Sequence, residues 1–375
     1  MKPRPVLPFY KLAILFVIFA LTAGLLGSTV PAGAQASRST TIHLPLVLKP
    51  GKTVMSGVYI QGYIGDQSVI DSQVHTLDAW AAPGAAVSIL GSYIDLEDGN
   101  PAYNLYHELE TPWVNGYTVF MNLSSTRSAS YIANGSLDGK IRNLADAYKS
   151  WVNLGGGRFA FLGPLPEMNG NWVSYGMDAS NFKQAYWRIQ NIFAQQGVPA
   201  STVRWVFVPN GWSKKGTPGF ESYYPGDSTV DVVGFSAYNF GNHPYNPQSE
   251  WQDPLTVFND PDIAYPQGDC LDRMYLMAPT KPIFIVQTGT TAYLGGRPNT
   301  SAKNDWLVTA YDYLAAYPHL RAVIYFNQVN WQGVDWPFYV HGDAAHQYQG
   351  YRQAMTNPAY KYISPQELSG MNLAP

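Results

Sequence analysis

The sequence predicts an α/β fold of the (β/α)8, or TIM-barrel, type. The first observation is a repeated texture. From Ser56 onward, apolar runs of five to eight residues alternate with longer stretches of helical periodicity, eight times over roughly 300 residues. Such barrels take about 250 residues before insertions. The second observation is where the chemically able residues stand. Glu167, Tyr238, Gln287 and Phe326 each close an apolar run at its C-terminal end, the face on which these barrels carry chemistry. The third is an exclusion. An open doubly wound sheet would place a glycine-rich phosphate turn after its first strand, and here that turn reads Gly62-Tyr-Ile-Gly65.

The elements follow in order. Gly57 to Ile64 reads as the first strand, and Ile70, Val74 and Leu77 make the apolar stripe of the helix after it. Ala86 to Leu90 is the second strand, leading into Tyr93-Ile-Asp-Leu-Glu97, and a helix marked by Tyr103, Tyr106 and Leu109 follows. Tyr117 to Met121 is the third strand; the next helix, near Leu137 to Leu154, lines up Ile141, Leu144 and Tyr148. Arg158 to Leu162 is the fourth strand, with Glu167 beyond it. Phe182, Ala185, Ile189 and Ile192 mark the fourth helix, after the N-cap candidates Asp178 and Ser180. Val203 to Val208 is the fifth strand and ends at Pro209-Asn-Gly; Val230 to Phe235 is the sixth, ending at Ala237-Tyr-Asn239. The stretch 240–280, rich in Pro, Asp and Asn, reads as loop plus one helix. Pro282 to Val286 is the seventh strand, ending at Gln287-Thr-Gly289, with a helix through Trp306, Ala310, Tyr313 and Tyr317. Leu320 to Phe326 is the eighth, and a last helix lies near Gln347 to Met355.

Composition bounds the class. Hydrophobic residues make up 46% and charged residues 13% of the 375-residue chain, enough apolar material for a large core. Lys2, Arg4 and Lys11, the apolar run Leu12 to Leu26 and the small residues Ala32 to Ala36 read as a secretory signal peptide over 1–36. An uncleaved N-terminal membrane anchor is the alternative. Residues 37–55 read as a tether, and 56–375 as the barrel; no other segment is apolar enough to span a membrane after cleavage. The signal segment holds three of the 23 basic residues and no acidic one, so the exported chain is acidic. With no basic stripe, nucleic acid is excluded as a partner. Cys270 is the one cysteine, so no intrachain disulfide can form, and export without disulfides suits a bacterial extracellular protein. The glycosylation sequons at Asn122, Asn134 and Asn299 read as chance matches.

The stretch with chemistry is Gly163-Pro-Leu-Pro-Glu-Met-Asn-Gly-Asn-Trp172. Glu167 offers a proton for a leaving oxygen, and Trp172 a flat ring for the apolar face of a pyranose. A lone glutamate at a strand end is more often solvated or ion-paired, and 27 tyrosines can simply be core; it is the combination that favours a sugar site. Other constellations are weaker. His341 and His346 stand five apart in a polar loop without a His-Glu-x-x-His pattern, so no metal or other cofactor is expected. Gly234-Phe-Ser-Ala-Tyr238 lacks the second glycine of a nucleophile elbow.

With these residues the sequence resembles glycoside hydrolase family 26, the endo-acting β-mannanases and related β-glucanases and β-xylanases. Members have a strand end close to Pro-Leu-His-Glu-Met-Asn-Gly-x-Trp, where this chain has Pro164 to Trp172. Tyr224-Pro-Gly-Asp227, Val230 to Gly234 and Tyr238-Asn239 resemble the sixth strand and its approach. Lys281-Pro-Ile to Thr288-Gly289 resembles the seventh, and Ala322 to Asn327 with Asp335-Trp336 the eighth. The likeness runs over roughly 56–340. It implies Glu167 as acid/base, Trp172 as a lining of the sugar subsites, Tyr238 as the residue that steadies the nucleophile, and Asn239 and Phe326 as further substrate-binding residues. In retaining members the two catalytic carboxyls lie about 5–5.5 Å apart. Here two positions depart: the residue before the acid/base is Pro166 rather than histidine, and the nucleophile position is Gln287. The resemblance therefore implies a monomeric, cofactor-free protein directed at β-linked polysaccharide or oligosaccharide, with hydrolysis impaired at Gln287. The alternatives are a non-catalytic carbohydrate-binding barrel, a scaffold protein, and an enzyme in which Asp95 or Glu97 replaces the missing carboxylate.

Overall fold

A computed structural model describes residues 52–81, 87–213, 216–244, 249–259, 270–328 and 334–374. The signal peptide of 1–36 and nearly all of the 37–55 tether lie outside the described residues, as does Ala86.

Eight parallel strands close into a barrel: β1 Met55–Ile60, β2 Ile89–Asp95, β3 Thr118–Ser124, β4 Ala160–Pro164, β5 Val203–Phe207, β6 Val232–Asn239, β7 Ile283–Thr290 and β8 Leu320–Asn327. Each pairs with its neighbours in sequence, and β1 closes on β8 with Tyr59 opposite Phe326. The strands read from the sequence are all present, displaced by a few residues. β2, β3, β6 and β7 run further toward the mouth than their apolar cores, because polar residues there still pair with the next strand.

The helices form where apolar spacing and caps agree. In Ala179–Gln195, Asp178 accepts a bond from the Asn181 amide, and Phe182, Ala185, Ile189 and Ile192 are buried against the barrel. In Asp138–Val152, Ile141, Leu144 and Tyr148 are buried, and three glycines with positive φ, Gly155 to Gly157, turn the chain into β4. The Tyr148 hydroxyl ties that helix to the barrel, donating to the Thr202 carbonyl (2.5 Å) and accepting from the Ala160 amide (3.0 Å). The excursion after β6 differs from the reading of one helix: among the described residues it carries two short ones, Pro254–Asn259 and Cys270–Met277. A small hairpin, Tyr293–Leu294 with Arg297–Pro298, and a capped helix at Pro365–Gly370 were not legible as periodicity, being too short to show one. Among the described residues, no helix is long and apolar enough to cross a membrane.

One irregularity bears on the site. β6 pairs Phe235 with Ile285 and then Ser236 with Gln287; on the other side, β8 pairs Val323 with Ile285 and then Tyr325 with Thr288. Relative to both neighbours β7 carries one extra residue in the 286–287 region. Such a bulge re-aims the side chains that follow it, and here it sits immediately at Gln287.

Candidate functional site

The mouth of the barrel is organised by the loop after β4. Leu165 and Glu167 both adopt left-handed backbone conformations, with φ of 54° and 58°. For non-glycine residues this costs about 1–2 kcal/mol each. The surroundings hold them there: the Leu165 amide donates to Leu123 O (2.8 Å), Glu167 to Val208 O (2.7 Å), and Gly170 back to Glu167 O (2.8 Å). Backbone strain of this kind clusters at functional sites.

Glu167 is only 6% exposed, yet both of its oxygens are satisfied. Trp172 Nε1 donates to Oε2 (2.7 Å), and Asn210 Nδ2 (3.0 Å) and the Ser236 hydroxyl donate to Oε1. The donors come from the loop after β4, the loop after β5 and β6 itself. Gly170 is required next to Trp172, since a Cβ there would fall 2.4 Å from the indole. Asn169, buried, locks the β5 loop: it accepts from the Asn210 amide (2.8 Å) and donates to Asn210 O, Trp212 O and Ser213 Oγ.

Gln287 points into the same mouth and donates from Nε2 to the Tyr93 hydroxyl. It is paired with Ser236 in the sheet, and Ser236 bonds Glu167, so the two family positions are linked through one residue. The Gln287 partner is therefore Tyr93 of β2, whereas the resemblance pointed to Tyr238. Tyr238 instead packs among aromatic rings. Its ring lies 5.1 Å from Trp336 and 6.3 Å from Phe326, whose ring is 5.8 Å from Tyr59. Gly289 makes room for these rings, with Trp336 3.1 Å and Tyr238 3.3 Å from where a Cβ would stand.

Trp336 is held from below. Lys303, fully buried on the helix Thr300–Ala316, donates to the carbonyls of Asp335 (3.0 Å), Trp336 (3.0 Å) and Pro337 (2.9 Å). Burial pushes its ammonium down to about 8, against the opposing pull of Asp335. The phenols of Tyr59, Tyr93, Tyr175 and Tyr238 are pushed well above the ordinary tyrosine range, first by burial, with the charge of Glu167 adding to it. They stay protonated and can act only as neutral hydrogen-bonding groups.

Asn239, expected among the substrate-binding residues, has its amide group committed to the fold. It is fully buried; its Nδ2 donates to Thr290 Oγ1 (2.9 Å), and its Oδ1 accepts from the amides of Gly241 (3.1 Å) and Gln252 (3.0 Å). Its amide group builds the β6 loop. Asp95 and Glu97 are engaged in hydrogen bonds of their own. Asp95 accepts from Ser124 Oγ (2.6 Å), and Glu97 Oε1 accepts from Ser125 Oγ (2.8 Å) and from the Thr126 amide (3.1 Å) and hydroxyl (3.0 Å). Both carboxylates fix the loop after β3.

Sequence reasoning missed Tyr93, Asn210, Ser236 and Trp212. Asn210 was visible only as part of a turn, and Ser236 only as a rejected nucleophile. Their role depends on which strands become neighbours, and no spacing along the chain encodes that.

Comparison with known proteins places this architecture. The chain is 28% identical over 207 residues to Endoglucanase H of Acetivibrio thermocellus, covering 52% of this chain and 20% of that protein. It is 29% identical over 178 residues to a mannan endo-1,4-beta-mannosidase of Bacillus subtilis, covering 45% of this chain and 44% of that one. The chain thus spans less than half the length of either relative. Among solved structures, the catalytic domain of an endo-beta-1,4-mannanase from Bacillus sp. JAMB-750 superposes with a TM-score of 0.59 at 14% identity, over 85% of this chain and 89% of that one. The family model for Glycosyl hydrolase family 26 matches residues 59–266, from β1 through β6; the match takes in Glu167 and ends before Gln287. With more than half of its length matched and the parallel barrel as frame, the chain belongs to glycosyl hydrolase family 26.

Proposed function

We propose that the protein is an exported, β-glycan-directed member of its family that binds β-linked oligosaccharide at the barrel mouth and hydrolyses it very slowly or not at all. Glu167 is the proton donor of the ancestral chemistry. Trp172, Tyr238 and Phe326 are the surfaces against which sugar rings pack. Gln287 occupies the nucleophile position. The observation that carries this reading is the Gln287 amide donating to Tyr93 at the β7 bulge, beside the Ser236–Glu167 bond. An amide is neutral and a poor nucleophile, its nitrogen lone pair delocalised into the carbonyl, so it does not readily form a glycosyl-enzyme bond, and it brings no charge to an oxocarbenium-like transition state. Export rests on the signal-like segment 1–36.

The relatives named above point to glucan and mannan as the glycan classes to try. The test is a panel of mannans, mixed-linkage glucans and xylans, scored for binding and for new reducing ends. Binding with at most trace turnover is expected. Turnover at ordinary enzymatic rates, about 1–10³ s⁻¹, would sink the lost-nucleophile reading and return attention to Asp95 and Glu97. No binding to any glycan would leave the barrel as a scaffold.

A further inference from the structure

The loop after β5 presents a tryptophan that no part of the fold requires. Trp212 is 51% exposed, although the backbone that carries it is among the most firmly held at the mouth. Its amide donates to Asn210 Oδ1 (2.9 Å), and its carbonyl accepts from buried Asn169 (3.1 Å). The preceding Gly211 amide donates to Ser236 O (2.8 Å), and Gly211 O accepts from buried Cys270 Sγ (3.2 Å). A large apolar ring is thus kept partly in water on a rigid support. Among the described residues its neighbouring ring is Trp172, stacked at 27° with centroids 6.1 Å apart. Trp172 in turn bonds Glu167, and Asn210, which anchors the Trp212 amide, bonds the same carboxylate.

We infer that Trp212 is a sugar-stacking platform beyond Trp172, on the leaving-group side of Glu167, and that it selects for longer β-linked chains. This rests on the glycan-binding reading above. The side follows from the order of groups at the mouth. Gln287, Tyr93, Tyr238, Phe326 and Trp336 gather around the nucleophile position, where the sugar that would be attacked sits. Glu167 stands where the leaving oxygen takes its proton; Trp172 bonds it directly, and Trp212 packs against Trp172. Trp212 adjoins Trp172 and does not itself bond Glu167, so a ligand held at Glu167 must extend past Trp172 to meet the exposed indole. Preorganisation by Asn169 means that binding need not order the loop, which preserves the gain from the contact.

The test is calorimetric titration of the full chain, Trp212→Ala and Trp212→Phe with manno- and cello-oligosaccharides from disaccharide to hexasaccharide. Trp212→Ala is expected to weaken binding of the longer oligosaccharides by roughly tenfold, as truncating a strong contact residue does. The shortest ligands should bind as before, Trp212→Phe should keep most of the affinity, and the melting temperature should barely move. Two results overturn the inference while leaving the glycan-binding reading intact: unchanged affinity at every length, or an equal loss at every length, which would mean that Trp212 acts only through the Glu167 loop. Absence of glycan binding by the unmodified protein overturns both.

Discussion

Gln287→Glu is the perturbation that bears most directly on how this barrel works. The side chains are nearly isosteric, so the bulge of β7 and the contact with Tyr93 can be kept, but the roles reverse. The amide now donates to the Tyr93 hydroxyl; a carboxylate would accept from it. Since burial keeps that phenol protonated, the reversal needs only a rotation of the hydroxyl hydrogen. A hydrogen bond to a charged group is worth about 1.5–3 kcal/mol, against about 0.5–1.5 for a neutral one. Against this gain stands Glu167. Two carboxylates at the about 5.25 Å typical of retaining sites repel by about 3 kcal/mol at an effective dielectric of about 20. The variant should therefore be less stable by about 2 kcal/mol at neutral pH and should recover on acidification, as one of the pair takes up a proton. Activity should move the other way. Loss of a covalent nucleophile costs on the order of 10⁶ in kcat in a well-studied protease, and that figure is a ceiling here. Pro166 cannot supply the hydrogen bond that the family's histidine makes, so Gln287→Glu alone should stay below it, and adding Pro166→His should raise the rate further. The assay is reducing-end release on the glycan panel, with product anomers followed by NMR, and retained configuration is expected. The reasoning is refuted if the double variant folds and binds glycan like the parent yet releases no more reducing ends.

Glu108, buried under Ser92 (2.5 Å), has its carboxyl pushed up to about 7 by burial, partly offset by that hydrogen bond. Its folded pKa lies above the ordinary 4.5. The stability it contributes is therefore fully present below about pH 4.5, declines as pH rises to about 7, and is gone above that. Glu108→Gln should flatten urea midpoints across this window and be more stable at pH 8, by at most about 3 kcal/mol; parallel profiles for the two proteins would count against this. Trp172→Ala removes a donor to Glu167 and the stack with Trp212, so calorimetry should show oligosaccharide affinity falling by about tenfold or more. The thermal cost should stay below the about 3–5 kcal/mol of a core tryptophan, and a large melting-temperature drop at unchanged affinity would reverse the assignment. Lys303→Met strips a donor from three carbonyls under Trp336, and chemical denaturation should register a loss of about 3 kcal/mol. Oligosaccharide affinity should fall with it as Trp336 loosens, and an unchanged denaturation midpoint would show that the carbonyls find other donors.

The sequence by itself determined the barrel and its sense. Strand runs and amphipathic helices are local patterns, set by side-chain period, and eight of them in alternation leave few other ways to bury so much apolar surface. Ile141, Leu144 and Tyr148, or Phe182, Ala185, Ile189 and Ile192, are buried as their spacing implies. Glu167 was legible too, because a carboxylate followed by a turn and a tryptophan after an apolar run is a local arrangement. What each of these residues touches is settled only when the barrel closes. Asn239 and Tyr238 are adjacent in sequence, but alternation in β6 sends one into the loop scaffold and leaves the other among the aromatic rings of the mouth. Tyr93 and Gln287 are 194 positions apart and meet because closure of the barrel brings β2 across from a bulged β7. Ser236 and Asn210 become partners of Glu167 because the segment after β5 bridges β6 at Asn210–Ser236 and Asn169 clamps that loop. Hydrophobic period is written along the chain, whereas hydrogen-bond partners across a barrel mouth depend on register, and a single extra residue in one strand changes which side chains arrive there.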